Sequence, residues 1–409
     1  MSFPPPPPWA SELTTLGVTG TNGKTSTTTY LAAALSELGD PVAWLTTVGA
    51  GIGDPRRDLH RPFVSTHAGF LALADELRLA GGRHLALEVT SAALARGFAQ
   101  AWPCTHAVFT NLGHDHMRTH GTPEHYLASK AQLFLHLPPG GVAVLNAADP
   151  NAALIAEIVP DHARIRWFAG PDQVLEREVD LRVRVATPRW TGLEIECEAP
   201  EFGPIPAFSL HNAARIQADN AAAALLAALV VGVPAARAVQ ALSECPPPPG
   251  RFEIVSREGC PRVVVDYAHD ADALRTLLAD ARRLTRGSLV LVFGAGGDTD
   301  ANKRAPMGAA AAAADRVFLT SDNPRNEDPA AIAAALREGL PAEHPFTLEL
   351  DRARAIAIAI ADAELEDLVV VSGKGHERVQ IIGSRAQPCS DREIAAECLA
   401  LWRPPRCRI

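Results

Sequence analysis

LTTLGVTGTNGKTSTTTYLAAALSEL, Leu13 to Leu38, decides how the first half of this chain is read. An apolar, β-rich run from Leu13 to Val18 enters a glycine-rich turn. A Thr/Ala/Leu stretch with helical character then runs to about Leu38. The turn Gly20-Thr21-Asn22-Gly23-Lys24-Thr25 therefore sits between a strand and a helix. There, backbone N–H groups and the helix N-terminus face an incoming polyphosphate. Lys24 reaches its terminal phosphates, and the Thr25 hydroxyl suits Mg²⁺. ATP is the expected cofactor. Val18 stands where the general GxxxxGK[ST] pattern has its first glycine, and a glycine turn at a buried strand end is the plain alternative.

Strand-then-helix recurs outward from this point. VAWLTTV (42–48), HLALEV (84–89), HAVFTNL (106–112) and GVAVLN (141–146) are short, continuously apolar runs. They suggest a parallel sheet covered on both faces. Residues 175–207 alternate instead and predict an antiparallel patch, and an Ala/Leu helix is expected over about 212–231. CPPPPGRF, Cys245 to Phe252, reads as a boundary. After it RVVVDY, LVLVFG, RVFLTS and LVVVSG restart the βαβ rhythm. The expected fold class is α/β. A Pro-rich tail (1–11) precedes a phosphate-loop central domain with a mostly parallel sheet (12–245), and a Rossmann-like carboxyl-terminal domain follows (246–409).

Composition narrows the function. The 409 residues carry 38 Lys+Arg against 47 Asp+Glu, a net charge of −9. That is a poor balance for sequence-independent nucleic-acid binding. The 7 cysteines are odd in number and contain no CxxC pair, which speaks for free thiols in a reducing, cytoplasmic setting. The longest apolar stretch, Ala221 to Ala236, is interrupted by Gly232 and Pro234 and is short for a membrane span. Five prolines, Pro4 to Pro8, stand where a secretory signal would begin and read as an extended, solvated tail.

Glu88 closes its strand at the carboxyl end, where open α/β sheets bind ligands, and is a natural Mg²⁺ ligand; a solvated strand end is the alternative. TNLGHDHMRTHGTPEHYLASKAQLF (110–134) contains several histidines without the spacing of a zinc site, so polar-loop histidines with at most one Mg²⁺ ligand are expected.

Together, GTNGKT, EVTSAAL (88–94) and the 110–134 stretch resemble the Mur ligase family, and its MurE type most. The second half agrees through Gly250-Arg251, DYAHDADAL (266–274), FGAGGDTDANKR (293–304), SDNPRNEDP (321–329) and SGKGHE (372–377). The resemblance implies an ATP-dependent ligase in which an acceptor carboxylate becomes an acyl phosphate that an amine then displaces. By the same resemblance Lys24, Thr25 and Glu88 serve the phosphates and a first Mg²⁺. His116 and Lys130 serve a second Mg²⁺, Lys130 as a carbamate. Asn220 contacts adenine, Arg251 the ATP phosphates, and Asp266 and His269 the nucleotide. Lys303 and Arg304 fit the pattern. Asn323, Pro324 and Arg325 carry a signature associated with meso-diaminopimelate, and Gly373 and Glu377 hold the distal end of that amino acid. The small-molecule substrates are thus an amino acid and a carboxylate acceptor, with neither nucleic acid nor membrane as partner.

Departures cluster on substrate contacts. Family members carry an amino-terminal UDP-sugar domain, whereas here only the Pro-rich tail precedes Gly20. Ala92 stands at a family histidine, Phe98 at an arginine, Ser65-Thr66-His67 at Thr-Thr-Pro, and Thr299 at an arginine. The expectation is an acceptor other than a UDP-sugar peptide, with a partner protein supplying acceptor binding as an open alternative. An idle ATP-binding scaffold is the competing reading. It would show erosion at Lys24, Glu88, His116, Lys130 or Arg251, and all five are present.

Overall fold

The computed structural model describes residues 3–57, 61, 64, 66–113, 117–173 and 175–404. The chain divides into two compact units at Pro248 and Pro249, within the Pro-rich boundary.

The first unit is built on one ten-stranded sheet. Its strands are β1 (Thr14–Thr19), β2 (Val42–Thr46), β3 (Gly49–Ile52), β4 (His84–Glu88), β5 (His106–Phe109), β6 (Val142–Asn146), β7 (Arg164–Ala169), β8 (Leu181–Arg189), β9 (Gly192–Glu198) and β10 (Phe208–Leu210). Their order is β10-β9-β8-β7-β6-β5-β1-β4-β2-β3. The run from β2 to β8 is parallel, and the flanking pairs β2–β3, β8–β9 and β9–β10 are antiparallel. β1 lies between β4 and β5, with Val18 opposite both Glu88 and Val108. This register brings the carboxyl ends of three strands to one crevice, where an open α/β sheet binds its ligand.

Both faces are covered, as the continuously apolar strands require. On one face Leu16 and Val18 pack with the helices Lys24–Leu35 and Gln217–Val230. All residues of Lys24–Leu35 after Lys24 itself are buried, so this helix is a core element without a solvent stripe. On the other face Leu85, Leu87 and Phe109 pack with Phe70, Leu73, Leu133 and Phe134. Gly17 belongs to this face, where an added Cβ would lie 2.8 Å from Cys104 Sγ.

Some expected elements end differently. The first helix stops at Leu35, and Ser36–Leu38 tightens into a 3₁₀ turn before Gly39 at φ 96°. The Ala/Leu helix starts at Gln217 rather than near 212, because the Asn212 side chain accepts the Ala214 N–H (2.9 Å) and holds a turn there. The amino-terminal segment also differs from a solvated tail. Pro4–Pro6 are exposed, but Pro8–Glu12 forms a 3₁₀ helix. Trp9 packs edge-on against buried Trp102 (6.1 Å), and Phe3 packs on Phe98 (5.8 Å) and His67 (4.9 Å). Apolar contact pins the segment at two aromatic points.

The second unit holds a six-stranded sheet of β11 (Glu253–Val255), β12 (Arg262–Asp266), β13 (Leu289–Phe293), β14 (Arg316–Leu319), β15 (Phe346–Leu348) and β16 (Leu368–Ser372). Its order is β11-β12-β16-β13-β14-β15, parallel except at β11. A separate hairpin joins β17 (Val379–Ile382) to β18 (Arg385–Pro388). Among the described residues, no helix is long and apolar enough to cross a membrane.

Candidate active site

The loop after β1 adopts a backbone only glycine tolerates at two points. Gly20 has φ 152°, and a Cβ there would fall 1.9 Å from Thr110 Oγ1. Gly23 has φ 85°, and its Cβ would fall 2.2 Å from Asn220 Oδ1. The segment leaving β5 pins the loop. Thr21 N–H donates to the Asn111 carbonyl (2.8 Å) and Asn22 N–H to Asn111 Oδ1 (2.9 Å). The Asn22 carbonyl in turn accepts from the Thr110 hydroxyl (2.7 Å) and the Asn111 amide (3.1 Å). Thr110 and Asn111 were not singled out from sequence. Their signal was available in a Thr-Asn pair at the end of the neighbouring strand.

Lys24 folds over the loop and donates to the Thr21 carbonyl (2.7 Å). Thr25, at the first turn of the helix, donates its hydroxyl to Glu88 Oε2 (2.9 Å). The same oxygen accepts the Thr47 N–H (3.0 Å), a contact the sequence did not reveal. Glu88 and Thr25 are both buried. Their oxygens are hard donors, and neighbouring oxygens on an octahedral Mg²⁺ also lie about 2.9 Å apart. The pair therefore fits Mg²⁺. Among the described residues no group of three His, Cys, Asp or Glu side chains is placed to hold a metal ion. His116, the other expected Mg²⁺ residue, lies outside the described residues, as does Ser65.

Lys130 comes from the helix Pro123–Leu135, whose start is capped by Thr122 accepting the His125 N–H (3.2 Å). Only 1% of Lys130 is exposed. Its ammonium donates to the Gly20 carbonyl (2.6 Å) and sits 4.3 Å from the Tyr126 ring centre. Contacts to a loop carbonyl and a ring face thus tie this buried side chain to the loop. His120 lies close by, with Nε2 3.0 Å from Ser91 Oγ and Nδ1 3.2 Å from Ser129 Oγ. Burial, and then the Lys130 charge, push its pKa down. Asn220 sits beneath the loop, donating to Gln217 Oε1 (3.0 Å). The structure therefore brings Gly20, Thr21, Asn22, Gly23, Lys24, Thr25, Glu88, Lys130 and Asn220 together.

Phe98, at one of the departing positions, is buried among Phe70 (5.4 Å), Phe3 and His67. Ala92 is exposed. Both ring nitrogens of His67 are buried without a hydrogen-bond partner among the described residues, and burial pushes its pKa down.

In the second unit the expected residues form two groups. Around the end of β12, Asp266 accepts the N–H groups of Phe252 (2.6 Å) and Ala268 (2.7 Å). Burial raises its pKa while Arg251 opposes the rise. The Arg251 guanidinium stacks over Tyr267 (4.6 Å), and His269 Nδ1 lies 2.9 Å from the Tyr267 carbonyl. Beyond β14 and β16 lies the second group. Asn323 donates to Glu377 Oε2 (2.8 Å), and fully buried Lys374 donates to both Glu377 Oε2 (2.8 Å) and Asn323 Oδ1 (3.0 Å). Lys374, inside SGKGHE, reinforces the direct Asn323–Glu377 link between the two motifs, and its own position in the sequence gives no sign of this. Gly373, at φ 117°, leaves room for Asp322, whose Oδ2 would be 2.4 Å from an added Cβ. Arg325, at φ 50°, donates to the Gly297 carbonyl (2.6 Å). Lys303 is buried at the end of a 3₁₀ turn, and Arg304 pairs with Glu327 (2.8 Å).

Comparison with known proteins decides the family. Residues 18–228, more than half of the chain, match the Mur ligase middle domain, and residues 250–375 match the Mur ligase, glutamate ligase domain. The chain belongs to the Mur ligase family. This Mur ligase is 39% identical over 406 residues to the UDP-N-acetylmuramoyl-L-alanyl-D-glutamate–2,6-diaminopimelate ligase of Alkalilimnicola ehrlichii, covering 95% of this chain and 77% of that protein. It is 36% identical over 398 residues to the ligase of the same name from Pseudomonas aeruginosa. A solved structure of a ligase with that name superposes with a TM-score of 0.63 at 31% identity, over 95% of this chain and 78% of the other. The Mycobacterium tuberculosis folylpolyglutamate synthase shares the fold, with a TM-score of 0.71 at 21% identity over 97% of this chain and 93% of the other.

Proposed function

We propose that this Mur ligase joins an amino acid to a carboxylate acceptor at the expense of ATP, with a diamino acid such as meso-diaminopimelate as the amine. The observation that carries the reading is the phosphate loop, with Lys24 and buried Lys130 bonded to its backbone and the Thr25–Glu88 pair at its end. An anionic carboxylate must approach an anionic phosphate, so cations have to neutralise the pair. Lys24 supplies one such charge. Thr25 and Glu88 would hold Mg²⁺, which would supply positive charge against the polyphosphate. As the free amine Lys130 holds the loop through the Gly20 carbonyl. By the family resemblance we assign to it a carbamate, formed from the neutral amine and CO₂ with release of a proton. That would turn this nitrogen from a cation into the carrier of a carboxylate-like metal ligand. Arg251, Asp266 and His269 are assigned to the nucleotide. Lys303, Asn323, Arg325, Gly373 and Glu377 are assigned to the amine donor.

Relatives are named for a UDP-muramoyl dipeptide acceptor and for diaminopimelate as the amino acid. The amine assignment follows theirs. The acceptor assignment does not, because Phe98, at the position where the family resemblance places an arginine, packs on Phe70 and His67 and offers no charge to an acidic acceptor. We assign a carboxylate acceptor without the UDP-sugar, a peptide or an amino acid. The test is phosphate release from Mg²⁺–ATP against a panel of short acidic peptides, amino acids and UDP-muramoyl-alanyl-glutamate. Meso-diaminopimelate and lysine serve as amines, with mass spectrometry of the products. Release that requires both acceptor and amine, with a condensed product, establishes the ligase. Fast turnover of the UDP-linked dipeptide would overturn the acceptor assignment, and ATP binding without turnover of any pair would overturn the enzymatic reading.

A further inference from the structure

We propose that Arg352 and Asp391 are positioning residues for the amine donor, locking together the two strand-end loops that carry the donor-binding side chains. The inference rests on the assignment of Asn323, Arg325 and Glu377 to the amine. Those residues leave β14 and β16, which are not neighbours, since β13 lies between them. The two strands stand about 9–10 Å apart, two strand spacings, so β14 and β16 share no ladder hydrogen bond at their ends. Farther out, Arg325 bridges to β17 through the Ile381 carbonyl (3.0 Å) and the Gly383 N–H (2.6 Å), which leaves 321–324 and 373–378 to be set at their bases.

The Arg352 guanidinium spans that gap. One amino group donates to the Ser321 carbonyl (3.2 Å) just past β14, and the other to the Ser372 carbonyl (2.9 Å) at the end of β16. The remaining contacts go to Asp391, from Nε at 2.7 Å and from the second amino group at 2.6 Å. Both side chains are 0% exposed. Asp391 raises the Arg352 pKa against the cost of burial, so the fork stays charged and planar. Each residue opens a helix, Arg352–Ala361 and Asp391–Leu401, so the clamp is anchored on rigid elements. Above it, the two loops meet through Lys374, Asn323 and Glu377, and Gln380 donates to the Asp322 carbonyl (2.7 Å).

A buried ion pair is a weak device for stability alone, since apolar residues of similar volume commonly replace one at no loss. Two carbonyls on non-adjacent strands are what apolar residues cannot hold. This separates positioning from mere stability. The experiment uses the full-length chain with R352M/D391L and, as a second variant, R352K, which keeps the charge and loses the planar fork. Melting temperature, amide exchange at 321–326 and 373–378, and KM for meso-diaminopimelate and for ATP are measured. The expected result for a folded variant is a melting temperature close to that of the native chain and exchange about ten-fold faster in both loops. KM for the amine should rise at least about ten-fold, with KM for ATP unchanged. A folded variant with native exchange and native KM for the amine overturns the proposal. Should R352M/D391L not fold, the same readouts on R352K decide. If the native chain itself turns over no amine, the donor assignment fails, and the exchange measurement alone still decides whether the clamp orders the loops.

Discussion

Gly23 and Asn220 meet so closely that neither can change freely. Gly23→Ala would impose a left-handed φ on alanine and drive its Cβ to 2.2 Å from Asn220 Oδ1. The expected cost is about 1–3 kcal/mol together with a distorted loop. Calorimetric ATP binding should weaken at least about ten-fold, and Gly23→Ala/Asn220→Ala should recover part of the lost thermal stability, because it removes the clashing oxygen. Native affinity in the single variant would refute the loop geometry. At this scale much of the site was legible. A Gly-Lys-Thr turn after an apolar strand announces its place between strand and helix, and a carboxylate at a strand end announces its position. What stayed hidden were partners defined by register. Thr47 reaches Glu88 only because β2 and β4 are adjacent, and Asn111 reaches Asn22 only because β1 and β5 are. Lys374 was hidden differently, since a lysine in a polar motif reads as exposed until its loop is seen folded over it.

At the scale of elements, two predictions concern how the first sheet is held. The 3₁₀ helix Pro8–Glu12 carries Trp9 against Trp102, with the Arg78 guanidinium 5.4 Å from its ring. Trp9→Ala should destabilise the first unit by about 1–2 kcal/mol. Thermal unfolding checks this, and an unchanged midpoint would mean the segment is only draped on the surface. The base of β5 gives a pH dependence. Burial, followed by the charges of Arg164 and His84, pushes the His106 pKa down to about 4. The folded state thus favours the neutral ring. Stability from this site is full above the unfolded value of about 6.5 and is lost as pH falls toward 4. Urea unfolding should show about 2 kcal/mol less stability from this residue at pH 5 than at pH 7. His106→Leu should flatten the dependence over that window. Strand positions were readable because parallel strands covered on both faces are plain apolar runs. Helix ends were less so, because a single side chain such as Asn212 can hold a turn where composition favours helix.

The whole chain is ordered in a way its sequence does not announce. β1 leaves the ribosome ahead of both strands it is bonded to, β4 on one side and β5 on the other. It has no sheet partner until residues 84–88 and 106–109 have followed. At about 5–20 residues per second the wait is on the order of 5–20 s. Throughout, an apolar strand and the glycine loop behind it stand without a sheet to join. Nascent chains arrested before about residue 110 should be cut by protease within 14–35, and chains arrested beyond about 150, with their tunnel-buried residues added, should resist. Synthesis speed between β1 and β5 thus governs how long the phosphate loop waits for the sheet that shapes it.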